Sequence, residues 1–298
     1  MNGIINIYKE RGFTSFDVVA KLRGICHQKK IGHTGTLDPD ATGVLPVCLG
    51  NATALCDLLT DKTKEYEAVL LLGITTDTQD ISGTILEQKD INLEEADVVS
   101  CVGQFKGEID QIPPMYSAIK VDGKKLYELA REGKTVERKP RKVTIHSIDI
   151  LSIELPRVTM RVCCSKGTYI RTLCSDIGER LGCGGTMESL IRTRSGNFVI
   201  EDAVTLDTVQ QWADRGELEE HVLSVEKVFS DCGSIRMSGE GDKLLHNGNT
   251  FGKKDAVNIT SGTAENRFRV YDSQGAFWAV YDLDKKRGIY RPFKMFIP

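Results

Sequence analysis

The sequence predicts a mixed α/β fold of the α+β kind, with a mainly antiparallel mixed sheet rather than a doubly wound parallel one. Three observations predict it. Strand-like and helix-like segments interleave along the 298 residues. Two strand-like runs, 143–154 and 157–165, follow each other across a tight turn at Pro156, which requires antiparallel pairing. Beyond about residue 232 the chain changes character, to short β-like runs broken by Gly and Asn turns, as in HNGNTF and VYDSQGAFWAVYDL. We therefore expect two parts, 1–232 and a small β-rich 233–298, which suits the length.

In chain order, the first strand spans Ile4 to Tyr8 and leads through Arg11-Gly12 to a helix that starts at Thr14 or Ser15. That helix carries Val18, Val19, Leu22 and Ile25 at helical spacing and should end near Gln28, among basic residues. IGHTGTLDPDATGVLPVCLG follows with no regular periodicity. A helix is expected over 53–60, then a strand 65–73 with Tyr66, Ala68, Leu70 and Leu72 on one face. Asn92 reads as a helix cap, with Glu95 at the position that reaches back. Residues 111–141 stand apart, with Pro113-Pro114, a short helix ending at Gly133 and a basic end. After the 143–165 pair, Lys166-Gly167-Thr168 opens a helix from about Tyr169 to Leu181, closed by Gly182.

Composition excludes whole classes of function. At 40% hydrophobic and 27% charged residues the chain is neither disordered nor fibrous, and no run is long and apolar enough for a membrane span. The start, MNGIINIYKERGF, has too short an apolar stretch for a signal peptide, so a cytoplasmic location is expected. The nine cysteines contain no C-x-x-C pair and none sits at zinc-finger spacing from a histidine. They read as reduced thiols, with no metal site. The net charge of −3 is segregated. Residues 1–33 hold six Lys/Arg against two acids and 116–146 hold nine against four, whereas 75–110 hold two against nine. Basic faces on a mildly acidic protein permit a nucleic-acid partner without demonstrating one.

Two places can carry chemistry. In the loop 32–50, glycines at 32, 35, 43 and 50 allow close backbone approach, and Pro39 and Pro46 stiffen the path. Asp38, before Pro39, is a carboxylate held on an extended backbone, fit to act as a nucleophile or to stabilise positive charge. Asp40 is an equal rival on these grounds, and an Asx turn explains either. The second place is Lys166–Arg171, where Arg171 falls in the first turn of a helix, against the dipole, and calls for a carboxylate partner.

GHTGTLDPDATGVLPVCLG resembles the signature of the TruB family of tRNA pseudouridine-55 synthases. The resemblance continues through Lys64-Glu65-Tyr66, TDTQDISG (76–83), QIPPMYSAIKVDGKKLYELAREG (111–133) and SKGTYIRTLCSDIGERLGCGG (165–185). It implies a pseudouridine synthase fold with a thumb-like insertion at about 111–141 and a PUA-like RNA-binding domain at 233–298. Position by position, it implies that Asp38, not Asp40, is the catalytic aspartate and that Tyr66 stacks on the target base and takes the proton from C5. Arg171 would pair with the carboxylate, and His33 would enter the T-loop in place of the flipped base. Tyr169 and Leu190 fall on substrate-pocket positions, and Lys120, Lys124, Lys125, Arg141 and Lys142 on an RNA-facing basic segment.

Two positions depart from the family pattern: Ala54 stands where a basic residue is usual, and Asp40 where many members carry an apolar one. The implied activity is isomerisation of uridine-55 in the tRNA T-loop by a monomer acting alone, with no metal or organic cofactor and no obligatory protein partner. Two alternatives remain at this point: a guide-RNA-dependent synthase of the dyskerin type, and a non-catalytic RNA-binding or tRNA-folding protein on the same fold.

Overall fold

The computed structural model describes residues 1–121 and 123–296. Asp122 and positions 297 and 298, which fall within the insertion and the C-terminal range above, lie outside the described residues. Among the described residues up to Asp214, thirteen strands and six α-helices make up most of the larger part. The first strand, β1 (Gly3–Lys9), precedes α1 (Ser15–Ile25), β2 (Ile31–His33) and β3 (Thr42–Leu49). Next come α2 (Cys56–Thr60), β4 (Lys64–Leu72) and a hairpin of β5 (Ile74–Thr76) and β6 (Ile85–Gln88). Then follow α3 (Glu95–Gly103), β7 (Gly107–Gln111), a small hairpin of β8 (Lys120–Val121) and β9 (Lys124–Lys125), and α4 (Leu126–Arg131). The long pair β10 (Arg141–Glu154) and β11 (Arg157–Cys164) leads to α5 (Ile170–Arg180), β12 (Gly185–Ser195), β13 (Phe198–Val199) and α6 (Leu206–Asp214).

The main sheet runs β1-β3-β12-β4-β11-β10-β7, with β2 added to β3 and β13 to β12. Every pairing is antiparallel except β12 with β3, so the sheet is mixed, as expected. α3 and α5 pack their apolar residues against β4, β10, β11 and β12, while α1 and α6 cover the β1–β3 end.

Local chemistry explains most boundaries. The Thr14 hydroxyl accepts from the Asp17 amide at 3.1 Å and the Asp17 carboxylate accepts from the Thr14 amide at 2.8 Å, a reciprocal cap that fixes the start of α1. α1 stops at Ile25, short of Gln28, because Cys26 caps it and His27 takes a left-handed conformation, φ +48°. β4 alternates as its sequence demands, with Tyr66, Ala68, Leu70 and Leu72 all buried. Asn92 is not the cap of α3. Glu94 is, its amide donating to Asp97 at 3.0 Å, so the reciprocal pair sits two residues later than the sequence predicts. The helix expected over 53–60 is α only from Cys56; Gly50–Leu55 is a tighter 3₁₀ turn.

Two central strands hide their alternation. Every residue of β3 from Gly43 to Leu49 is buried, and β12 buries Arg192 and Ser195 among its apolar residues. The remaining strands, β14 (Cys232–Met237), β15 (Phe251–Gly252), β16 (Ala256–Thr260), β17 (Ala264–Tyr271), β18 (Phe277–Asp284) and β19 (Ile289–Met295), form a second, six-stranded sheet. Val280 and Phe296 of this part share an apolar cluster with Ile4, Cys48 and Leu55.

Candidate active site

β3 and β12 bring the chemistry together. Thr42 and Gly43, at the start of β3, pair in parallel with Ile191 and Arg192. On its other edge β12 sets Leu190 opposite Ala68 and Arg192 opposite Tyr66. Leu190, Arg192 and Tyr66 therefore share one face of the sheet, and the loop 34–41 reaches over it from β2. Gly43 is obligatory here. Its φ is +103°, and a Cβ would lie 2.3 Å from the Arg192 carbonyl oxygen.

The loop is tied down from several sides. Lys9, fully buried at the end of β1, donates Nζ to the carbonyls of Phe13 at 2.6 Å and of Glu10 and Pro39 at 3.1 Å. Burial pushes this ammonium down to about 8, against the pull of Asp38 and Asp40. The Ser15 hydroxyl accepts from the Leu37 amide at 2.9 Å. Between these anchors a turn, Ala41 amide to Asp38 carbonyl at 3.1 Å, separates the two aspartates. Asp40 points outward to a solvent-exposed ion pair with Arg11 at 3.1 Å. Asp38 turns inward to Arg171.

Arg171 projects from the first turn of α5 and is 5% exposed. Its two terminal nitrogens make four hydrogen bonds, and Nε closes an ion pair. Nε and Nη2 meet Asp38 Oδ2 and Oδ1 at 3.0 and 3.3 Å, Nη1 meets the Thr78 carbonyl at 3.1 Å and Asp80 Oδ2 at 3.4 Å, and Nη2 also meets the Tyr116 carbonyl at 2.8 Å. Burial raises the Asp38 carboxyl above its usual range; Arg171 opposes this most, Asp80 adds to it, Lys9 opposes and Asp40 adds.

The other expected residues fall around this pair. Tyr66 is buried on β4, near enough to feel the charges of Asp38 and of Arg192, its neighbour in register. Burial raises its phenol. Tyr169 precedes α5, its backbone clasped at both ends by the Gln111 side chain, at 2.7 and 3.0 Å. Its phenol is raised by burial, with Ser117, Arg141 and Arg171 opposing. His33 ends β2, with Nδ1 accepting from the Gly35 amide at 3.4 Å. Burial, followed by the Arg192 charge, lowers it and keeps the imidazole neutral at pH 7.

The basic segment is not gathered at the site. Lys120, Lys124 and Lys125 lie on the β8–β9 hairpin, and Lys142 is paired with Glu108 at 2.5 Å. Only Arg141 acts electrostatically on a site residue, Tyr169. Ala54 sits in the 3₁₀ turn and packs on an apolar cluster.

Sequence reasoning assigned no role to three contributors. Asp80 is the second carboxylate of Arg171; it lies in the TDTQDISG segment, where its Oδ1 also accepts from Ser82 and Thr78, and the local turn hides the distant bond. Gln111 and Arg192 carry no local signal. All nine cysteines are free, and among the described residues no cluster of His, Cys, Asp or Glu fits a metal ion. No helix among the described residues is long and apolar enough to cross a membrane. A separate cavity of about 530 Å³, lined by Phe105, Ile109, Asp176 and Arg180, includes none of the expected site residues.

The family model for the N-terminal domain of TruB family pseudouridylate synthases matches residues 23–170, and that for the tRNA pseudouridylate synthase B C-terminal domain matches 171–230. The chain belongs to the TruB family. The break between the two matches falls in the first turn of α5 and is not a boundary of the fold. This TruB chain is 55% identical over 313 residues, covering 100% of both chains, to the tRNA pseudouridine synthase B of Lachnoclostridium phytofermentans. It is 45% identical over 290 residues, 96% of each chain, to that of Clostridium perfringens. Among solved structures, it resembles a chain of an H/ACA ribonucleoprotein bound to a substrate RNA containing 2′-deoxyuridine (TM-score 0.73, 25% identity, 99% of this chain and 85% of the other). A chain of a Cbf5-Nop10-Gar1 complex is similar at TM-score 0.72 and 26% identity, with 99% and 85% covered. As a TruB protein it is a pseudouridine synthase, an isomerase of RNA uridines.

Proposed function

We propose that the chain converts uridine-55 in the T-loop of tRNA to pseudouridine, as a monomer in the cytoplasm, without a guide RNA, a metal or an organic cofactor. The observation that carries this reading is the Asp38–Arg171 pair, an inward-facing carboxylate held at 3.0 Å by a guanidinium that is itself fixed by the Thr78 and Tyr116 carbonyls. The reaction breaks the N1 glycosidic bond, rotates the uracil and reattaches it through C5. Positive charge develops at the sugar as the C–N bond breaks, and an oriented carboxylate stabilises or traps it. Arg171 favours the ionised form of Asp38 in a site whose burial disfavours that form. The names of the relatives supply the substrate class, tRNA.

In this reading Tyr66 stacks on the detached base and accepts the C5 proton, while Leu190 and Tyr169 wall the pocket so the base cannot escape. Extruding a stacked base costs about a few kcal/mol, and a neutral His33 filling the vacated stack offsets part of it. Residues 1–232 would do the chemistry and 233–298 would extend the RNA contact. Lys120, Lys124, Lys125, Arg141 and Lys142 would meet phosphates.

The test is an unmodified tRNA transcript incubated with the purified chain alone, with pseudouridine mapped by reverse-transcription stops after carbodiimide treatment. A stop at the T-loop uridine is expected; none there, or one only when guide RNA is added, would sink the proposal. Binding should also weaken steeply with salt, and a flat response would contradict the phosphate contacts.

A further inference from the structure

Arg192 is 1% exposed, yet among the described residues no carboxylate lies within ion-pair distance of it. Its hydrogen-bond partners are the carbonyl oxygens of Val44 at 2.7 Å, Thr36 at 3.4 Å and Gly35 at 3.5 Å, and Tyr66 stands opposite it across the strand pair. An unpaired buried cation costs several kcal/mol, and a methionine would fill the same space without that cost. Packing therefore does not account for it.

Position does. In register Arg192 stands between Gly43 of β3 and Tyr66 of β4, so one guanidinium bridges the loop that carries Asp38 and the phenol that faces the base. The charged and titratable groups facing this pair come from five elements. Asp38 from the loop and Cys164 from β11 act on Tyr66, and Lys9, His33 and Lys64 feel Arg192. The three hydrogen-bond partners of Arg192 are neutral carbonyls, whereas the Tyr66 oxygen opposite it can become an anion.

We propose that Arg192 is a positioning residue for the proton-transfer step: clamped by the Gly35, Thr36 and Val44 carbonyls, its guanidinium aims the Tyr66 oxygen at the base and supplies the counter-charge for that oxygen as phenolate. The inference rests on the reading of Tyr66 as the C5 proton acceptor. Once C5 is joined to C1′, the ring holds a C5–H bond and an N1=C6 double bond. The C5–H bond breaks and its electron pair closes C5=C6. The N1=C6 pair moves onto N1, which takes a proton from water, and the C5 proton is left on Tyr66 Oη. A phenolate performs this step and a phenol does not.

The experiment uses the full chain with Arg192→Gln and Arg192→Met, each with and without Tyr66→Phe. Turnover of tRNA transcript is followed from pH 6 to pH 10. Tyr66 ionisation is read from alkaline ultraviolet difference spectra, taking the Tyr66→Phe background away. Both neutral variants should lower kcat about tenfold or more near pH 7.5, leave KM within about threefold, and close the gap as the pH rises. The Tyr66 midpoint should move up by about one pH unit. Arg192→Lys should restore the midpoint toward wild type.

A kcat loss that stays constant with pH, with Tyr66 ionisation unmoved, would overturn the proposal and leave Arg192 a loop support only. Should the Gln variant not fold, the Met variant, which removes the buried charge, carries the same readouts. Absence of pseudouridine with the wild type would instead refute the proposed function, while the ionisation arm would still decide the Arg192–Tyr66 pairing.

Discussion

Replacing Arg171 by Met removes one cation and five donors but keeps an unbranched stem in a nearly closed site. It strands both Asp38 oxygens, Asp80 Oδ2 and the carbonyls of Thr78 and Tyr116. Removing one partner of a buried pair costs about 3–5 kcal/mol. Here the Asp38 side chain is 38% exposed and that of Asp80 17%, so water recovers part of the loss. We expect about 2–4 kcal/mol of destabilisation, which for a domain of this size lowers Tm by roughly 5–15 °C. If the same interactions hold the carboxylate against the developing sugar charge, kcat/KM falls about 30- to 1,000-fold. The pH profile supplies an independent check. Arg171 lowers the Asp38 carboxyl, so its removal must move the acidic limb of kcat to higher pH. Arg171→Lys, keeping charge but not the five-donor fork, should hold that limb nearer wild type while still losing rate. Thermal melts and turnover between pH 4 and pH 9 measure all three. Activity within threefold of wild type and an unmoved acidic limb in Arg171→Met would refute the reasoning.

Asp38→Asn should abolish turnover yet keep tRNA affinity within about tenfold, because phosphate contacts elsewhere supply most of it; measurable turnover in a filter-binding-competent variant would count against the assignment. In the wild type, the raised Asp38 carboxyl means that activity falls with acidification through a midpoint above 3.8, and a midpoint at or below that value in kcat against pH would contradict it. Gly43→Ala should cost about 2 kcal/mol or more, from the left-handed backbone and a contact of 2.3 Å with the Arg192 carbonyl, visible as a lower denaturant midpoint. Asp176 on α5 is pushed up to about 6 by burial, Glu179 adding. The folded state thus holds its proton more tightly, and stability present below 3.8 is lost as the pH rises through about 6. Asp176→Asn should gain about 1 kcal/mol at pH 7.5 and flatten the stability curve between pH 4 and pH 6, which urea titrations at several pH values resolve.

Local chemistry was legible and long-range chemistry was not. The Thr14 cap, the alternation of β4, the turn at Pro156 and the Gly182 stop, φ +78°, each have their cause within a few residues. β3 is covered on both faces, which erases the period of two that marks a strand, and in β12 one of the buried positions is taken by Arg192. Pro46 within β3 and Arg192 within β12 then read as breaks in a strand. The site depends on those two strands. Asp38 and Asp40 flank one proline and cannot be told apart from composition; the turn between them sends one to Arg171, 133 residues on, and the other to Arg11. Asp80 meets Arg171 across 91 residues. Family resemblance selected Asp38 where spacing could not, and it reached Arg192 without giving it a role, whereas the register places it beside Tyr66.

Charge segregation was legible as well, but the segments overstate what an RNA would meet. Of the six cations in residues 1–33, Lys9 is buried as a loop anchor and Arg11 is paired with Asp40, which leaves Lys21, Arg23, Lys29 and Lys30 exposed. In 116–146, Lys142 is paired with Glu108, and Lys124 and Lys134 share Glu132. Lys120 and Arg141 are exposed there and form no ion pair among the described residues. Meanwhile the two most consequential cations, Arg171 and Arg192, come from stretches that no charge count singles out. A basic residue on this fold does one of two jobs. Exposed, it adds to a screened, salt-sensitive attraction for phosphate; buried, it fixes oxygens, backbone carbonyls for Lys9 and Arg192 and the Asp38 carboxylate for Arg171. Exposure, which sequence does not report, decides between them, so the catalytic argument gains its cations from the same inventory that the binding argument loses them.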